Sequence, residues 1–188
     1  MSQGRAIKVL GISGSLRKAS FNTMTLRAAC ELAPDGMTIA TYNNLAEIPP
    51  YNDDVRLAGY PPVVQDFRNR LAAAEALVFV TPEYNHSISG VLKNAIDWAS
   101  RPPDMPFDGK PAAIMGASRG VFGTARAQEQ FRNMLASVNV LVVNEPKVML
   151  GGSEAKFDAA GKLTDPAARD LIAELLAALR DLTLKLRG

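Results

Sequence analysis

Three segments carry side chains suited to holding a ligand. The first, Gly14-Ser15-Leu16-Arg17-Lys18-Ala19-Ser20-Phe21-Asn22-Thr23, runs from an apolar strand pattern into a helix pattern. Hydroxyls, an arginine and the free N–H groups of a helix start together suit an anion such as a phosphate. Ser15, Arg17, Ser20, Asn22 and Thr23 supply donors, with Arg17 as the charged clamp. An ordinary polar strand-to-helix connection has the same composition. The second segment, Thr81-Pro82-Glu83-Tyr84-Asn85-His86-Ser87, sets an aromatic beside proline and polar groups, which suits a flat heteroaromatic ring. The third, Gly116-Ala117-Ser118-Arg119-Gly120-Val121-Phe122-Gly123-Thr124, is rich in glycines that let backbone approach a ligand closely.

Some chemistries are disfavoured by what the motifs lack. No GxxxxGK[ST] is present, which argues against nucleotide triphosphate hydrolysis. Gly11 and Gly14 do not extend to GxGxxG, which argues against a Rossmann-bound dinucleotide. No His/Cys/Asp/Glu group has metal-ligand spacing, so no metal is expected. Glu83 and Asp97 are too far apart along the chain to pair as acid and base. His86, the only histidine, reads as a loop hydrogen-bonder, with proton donation the alternative.

The elements that would position these loops follow from hydrophobic periodicity. Ala6–Ile12, Met37–Tyr42, Ala76–Thr81, Ala112–Ala117 and a fifth segment beginning at Val140–Val143 read as strands. Asn22–Ala33, Val63–Ala74, Ser89–Ser100, Thr124–Ser137 and Pro166 to about Leu186 read as helices, with Ser89 as an N-cap. Met24, Ala28 and Leu32 mark the packed side of the first helix. Leu171, Leu175, Leu179, Leu182 and Leu186 mark an apolar stripe on the last. The stretches through Pro62 and from Gly151 to Thr164 read as loops.

Strands alternating with helices predict an α/β fold, a parallel sheet covered on both faces by right-handed crossovers. Five strands fit the flavodoxin-like order 2-1-3-4-5, which binds ligands beyond the strand C-termini at the switch between strands 1 and 3. All three polar segments fall at that edge.

Bulk properties agree. The 188 residues suit one domain spanning 1–188, with 47% apolar residues for a core and 21% charged. Net charge of +2, from 21 basic and 19 acidic side chains, gives no support for a nucleic-acid partner. No apolar run approaches the roughly 20 residues of a membrane span, and the N-terminal stretch lacks a signal-peptide core. One cysteine, Cys30, precludes an intrachain disulfide and fits a reducing, cytoplasmic setting. Cys30, Trp98, Met24, Met134 and Met149 read as packing residues, Trp98 in the core or at a subunit contact.

GSLRxxSxN near the N-terminus, PEYNxSxxGxLKNAIDW in the middle and the Ser/Gly loop before Thr124-Ala125-Arg126 resemble the NADPH-dependent FMN reductase family. That family includes quinone, chromate and azo-dye reductases of flavodoxin-like fold. The resemblance runs from about residue 6 to residue 150. It implies bound FMN, with NADPH or NADH as co-substrate and small-molecule electron acceptors. It implies that Ser15, Arg17, Ser20, Asn22 and Thr23 hold the FMN phosphate. Pro82, Glu83, Tyr84 and Asn85 would line the isoalloxazine through backbone N–H groups, and Ser118 and Gly120 would touch its pyrimidine edge. Catalysis would be ping-pong with no dedicated acid–base residue, because the cofactor carries the chemistry. A homodimer or homotetramer is implied, with Arg126, Glu129 and Glu145 candidate bridges between subunits. Arg119 departs from the family pattern, where a small residue or proline is common. A flavodoxin-type electron carrier would share the fold but tends to be strongly acidic. A non-catalytic flavin-binding module would share the motifs.

Overall fold

A computed structural model describes residues 5–187. Residues 1–4, part of the stretch read for a signal segment, and Gly188 lie outside the described residues. The strands are β1 (Ile7–Ser13), β2 (Met37–Tyr42), β3 (Ala76–Val80), β4 (Pro111–Ala117), β5 (Leu141–Val142) and β6 (Val148–Leu150). The helices are α1 (Phe21–Glu31), α2 (Asp53–Ala58), α3 (Pro62–Ala73), α4 (Gly90–Ala99), α5 (Ala125–Ser137) and α6 (Pro166–Arg187).

All pairings are parallel, in the order β2-β1-β3-β4-β5, with β6 also on β4. This is the expected 2-1-3-4-5 sheet with one correction. The fifth position is two short strands: Leu141–Val142 beside Pro111–Ala112, and Val148–Leu150 beside Met115–Ala117. The residues between, Val143-Asn144-Glu145-Pro146-Lys147, include a proline that cannot donate to the ladder. The late return to β4 brings Leu150 alongside Ala117, at the edge where the ligand loops begin.

Side-chain alternation divides the core. On β3, Leu77 and Phe79 face one layer while Ala76, Val78 and Val80 face the other. Phe67, Leu71, Trp98 and Phe131 from α3, α4 and α5 fill the first layer. Leu26, Ala29, Ile172, Leu175 and Leu179 from α1 and α6 fill the second. β3 is buried along its whole length, as a central parallel strand covered on both sides must be.

Two helices face the core differently from the stripes expected of them. α6 buries Ala168, Ile172, Leu175, Leu176, Leu179 and Thr183, while Leu186 is exposed. Small and β-branched residues fit against β4 and β6, and the outlying leucines are left at the margin. α1 buries Asn22, Thr25, Leu26, Ala28 and Ala29, leaving Met24 and Leu32 half-buried. Two polar residues on that face each find a partner within the protein. Thr25 Oγ1 donates to the Phe21 carbonyl at 2.8 Å, and Asn22 reaches β4.

The stretch before α3 was expected to be a loop, yet it contains α2, capped by Asn52 accepting from the Asp54 N–H at 2.9 Å. Its buried anchor is α4. Asn94 Oδ1 accepts from the Tyr51 N–H at 2.8 Å, and its Nδ2 donates to the Pro49 carbonyl at 2.8 Å. Trp98 Nε1 donates to the same carbonyl at 2.7 Å. Trp98 is fully buried, with Tyr51 edge-on at 5.1 Å and Tyr60 at 6.3 Å, so it belongs to the core. Asn94 and Trp98 of the KNAIDW motif thus fasten residues 48–51 to α4. Ser89 caps α4 as expected, accepting from the Leu92 N–H at 3.4 Å.

Replacing Trp98 with alanine removes the largest core side chain and one hydrogen bond, at an expected cost of about 3–5 kcal/mol. A urea titration followed by far-UV circular dichroism should show a lower midpoint at unchanged slope. A midpoint like the parent's would refute the fastener role.

Candidate active site

The carboxyl ends of β1, β3 and β4 open into one another. A cavity of about 220 Å³ there is lined by Ser15, Arg17, Ser20, Phe21, Asn22, Pro82, Glu83, Tyr84, Ala117, Ser118 and Arg119. Eight of the eleven residues expected to form a site therefore share one cavity. Thr23 faces a neighbouring cavity, and Asn85 and Gly120 line neither. Phe21 and Ala117 join the lining without having been expected. Phe21 stacks on Phe157 at 5.4 Å, and the Arg17 guanidinium lies 5.6 Å from its ring centre. Its position between Ser20 and Asn22 was the one available signal.

In the first loop, most polar side chains hold backbone. Ser20 caps α1 by accepting from the Thr23 N–H at 3.3 Å. Thr23 Oγ1 meets Ser13 Oγ at 3.1 Å, and Ser13 Oγ also accepts from the Ser15 N–H at 3.4 Å. The Asn22 side chain, expected to contact a ligand, is committed to the protein. Its Oδ1 accepts from the Ala117 N–H at 2.9 Å and its Nδ2 donates to the Ala117 carbonyl at 3.0 Å. What the loop offers a ligand is the N–H groups of Phe21 and Asn22 at the start of α1, which have no partner one turn back. It also offers the exposed Arg17 guanidinium, with no protein acceptor among the described residues.

In the second loop, Tyr84 and Ser87 exchange backbone hydrogen bonds at 2.9 and 3.0 Å. Between them Asn85 and His86 both have positive φ, 50° and 65°. That is a two-residue type I′ hairpin turn, and asparagine is among the residues that tolerate it best. Asn85 is therefore explained by turn chemistry, and the Tyr84 N–H is already taken. The turn leaves the Tyr84 ring 51% exposed, free to pack on a flat partner. Glu83 turns its carboxylate away to α5, whose own first residues lack a side-chain cap. Glu83 Oε2 accepts from the N–H groups of Arg126 and Ala127, each at 3.1 Å. A carboxylate at a helix N-terminus also meets the positive end of the helix dipole.

In the third loop, Ser118 Oγ donates to the Gly123 carbonyl, tightening the turn. A Cβ on Gly116 would overlap Thr124 Oγ1 and stand 2.5 Å from the Thr81 carbonyl oxygen, so only glycine lets the second and third loops close together. At Gly120 the nearest atom to an added Cβ is Ser118 Oγ at 3.8 Å, so this backbone stands open. Arg119 pairs with Glu154 at 2.9 Å with both side chains about two-thirds exposed, a geometry worth little energetically. Arg126 is 3.8 Å from Glu83 and lies over Phe122, and Glu145 is 3.3 Å from Lys147.

Two further cavities are present among the described residues. A cavity of about 470 Å³ lies on the β2 side of the first loop and shares Ser15 and Arg17 with it. Its lining includes Tyr42, whose phenol is pushed up to about 12 by burial and then by the Asp66 carboxylate, so that phenol stays neutral. Another, of about 540 Å³, is lined by Tyr60, Arg68 and residues 103–106, before β4 and away from the three loops. Arg68 is buried there and spent on carbonyls: Ala99 at 2.8 Å, Arg101 at 3.3 Å, and Asp104.

The arrangement can hold a phosphate at the start of α1 and a flat ring against Tyr84 and the third loop. Residues 7–155 match the family described as NADPH-dependent FMN reductase. An NAD(P)H-dependent FMN reductase of Pseudomonas aeruginosa is 54% identical over 97% of this chain and 98% of its own length. An NAD(P)H:quinone oxidoreductase of Solanum tuberosum is 42% identical over 100% of this chain and 98% of its own. The structure of a flavoenzyme NAD(P)H:(acceptor) oxidoreductase of Paracoccus denitrificans superposes with a TM-score of 0.88 at 33% identity, covering 96% of this chain and 98% of that one. By sequence and by fold, the chain belongs to the NADPH-dependent FMN reductase family.

Proposed function

We propose that the chain is an FMN-containing oxidoreductase that takes electrons from NAD(P)H and passes them to quinones or similar small acceptors. The observation that carries this reading is one cavity shared by the anion-binding start of α1 and the ring platform at Tyr84.

The residues fit the cofactor. Arg17 and the N–H groups at the start of α1 hold the phosphate, with Ser15 beside them. Ser20 acts by keeping the helix start open, and Asn22 by fixing it to β4. Thr23, outside the cavity, supports the loop through Ser13. Pro82, Glu83 and Asn85 shape the second loop, Tyr84 packs on the ring, and Ser118 orders the third loop. The Gly120 N–H is the donor we assign to the ring's pyrimidine edge, where open backbone permits close approach.

Bound FMN supplies two-electron transfer between a nicotinamide and an acceptor. The protein positions and shields, and no residue of the cavity need donate or accept a proton. With the Tyr84 ring and the third loop holding one side of the cofactor, nicotinamide and acceptor would share the other side in turn, a ping-pong order. The site's shape selects for flatness, which suits quinones and admits azo compounds or free flavin, and chromate is a further candidate acceptor.

Val121 and Phe122 are 84% and 64% exposed beside the cavity, which supports a second copy covering that rim in a homodimer or homotetramer. The free thiol of Cys30 supports a reducing, cytoplasmic setting. No described helix is long and apolar enough to cross a membrane.

The purified chain loaded with FMN should lose its yellow colour when NADPH or NADH is added without oxygen, then regain it with a quinone over many turnovers. Bound FMN that neither nucleotide bleaches would refute the reading. Two substitutions separate ligand contacts from scaffold. Arg17→Ala removes a charged hydrogen bond worth about 1.5–3 kcal/mol, so FMN affinity should fall about ten- to a hundred-fold with the melting temperature unchanged. Asn22→Ala strands two buried backbone groups at about 1–3 kcal/mol each, so it should lower the melting temperature as well as the affinity. Equal effects on stability from both variants would contradict this division.

A further inference from the structure

The 470 Å³ cavity on the β2 side of the first loop is not needed to hold FMN. FMN carries one phosphate, and the helix start assigned to it faces the other cavity, with Ser20 and Asn22. Yet this second cavity brings together three cations, Arg17, Lys18 and Arg27, and no acidic residue lines it. None of the three joins an ion pair among the described residues. Glu31, one turn along α1 from Arg27, faces Arg169 at 3.8 Å. With only two surplus positive charges in the whole chain, three unneutralised cations around one cavity are a local concentration. Thr41 and Asn43, at the end of β2, add uncharged donors to its lining. Such a lining would suit a second phosphate-bearing group, beside the first cavity and sharing Ser15 and Arg17 with it.

We propose that Lys18 and Arg27 receive the adenosine 2′-phosphate of NADPH and so set a preference for NADPH over NADH. This rests on NAD(P)H being the reductant. The 2′-phosphate is the one group that distinguishes the two nucleotides, and cationic side chains are what accommodate it where it is recognised. Lys18 and Arg27 line the second cavity and not the first, so they are separable from Arg17, which lines both; Arg27 also borders a smaller cavity beside Glu31 and Gly161. A dinucleotide with its nicotinamide on the open side of the flavin ring would pass over Ser15 and Arg17 to place its far end here.

Calorimetric titration of the FMN-loaded chain with adenosine 2′-monophosphate, and with adenosine as control, tests the site without turnover. The 2′-phosphate compound should bind and adenosine should bind at least about tenfold more weakly. The double variant Lys18→Ala/Arg27→Ala should lose about tenfold or more of the 2′-phosphate affinity. Its ratio of kcat/KM for NADPH over NADH should fall by a similar factor. Equal binding of the two compounds, or an affinity unchanged in the double variant, overturns the proposal. So does an FMN affinity that falls tenfold in that variant, because the cavity would then seat the flavin's own phosphate. Failure of the underlying reading shows separately, as absence of NADPH oxidation by the parent protein.

Discussion

The buried side chain of Asn22 holds two ends of the site together. It sits in the first turn of α1, 4% exposed, and pairs with both the N–H and the carbonyl of Ala117 at the end of β4. A parallel sheet leaves its last strand residues without further ladder partners, and burial makes those groups costly to leave unpaired. One amide satisfies both. In doing so it sets the start of α1, where an anion would bind, against the loop that would meet a ring. Ser20, Gly116 and the return of the chain through β6 all act around that joint.

Around the joint, side chains build and backbone is left to bind. Glu83 is spent on the start of α5, Ser118 on the Gly123 carbonyl, and Ser20 and Thr23 on the first loop. Arg17, the Tyr84 ring, the first N–H groups of α1 and the open backbone at Gly120 remain. Such a division fits a cofactor that brings its own reactivity and needs placement rather than acid–base help. It also explains how a chain with one histidine and no carboxylate pair in the cavity belongs to a family of redox enzymes.

The sheet order and nearly every long element were legible from alternation and helical period alone, because a covered parallel sheet forces uninterrupted apolar runs such as Ala76–Val80. Proline broke that signal at Glu145-Pro146, so the second half of the fifth strand was invisible. α2 was masked by the Pro/Asn/Asp composition around it. Which faces α1 and α6 bury was shifted by small and polar residues, Thr25, Asn22 and Ala168, that a stripe of large apolar residues does not count. At the site, residue types identified which loops converge but not which atoms face the ligand. Asn22, Glu83 and Asn85 are ordinary ligand-type residues in sequence. Their work on Ala117, on α5 and in a left-handed turn depends on partners distant in the chain or on backbone angles. The second cavity was missed because Lys18, Arg27, Thr41 and Asn43 lie on three different segments.

FMN bound as proposed would lie at the carboxyl edge, across the loops after β1, β3 and β4. Titration of the isotope-labelled chain with FMN, followed through its backbone amide signals, tests it most directly. Amides of Ser15 to Thr23, of the Tyr84 turn and of Ser118 to Gly120 should move together and saturate at one equivalent. Shifts centred instead on Arg68 and residues 103–106, or spread without saturation, would contradict the account.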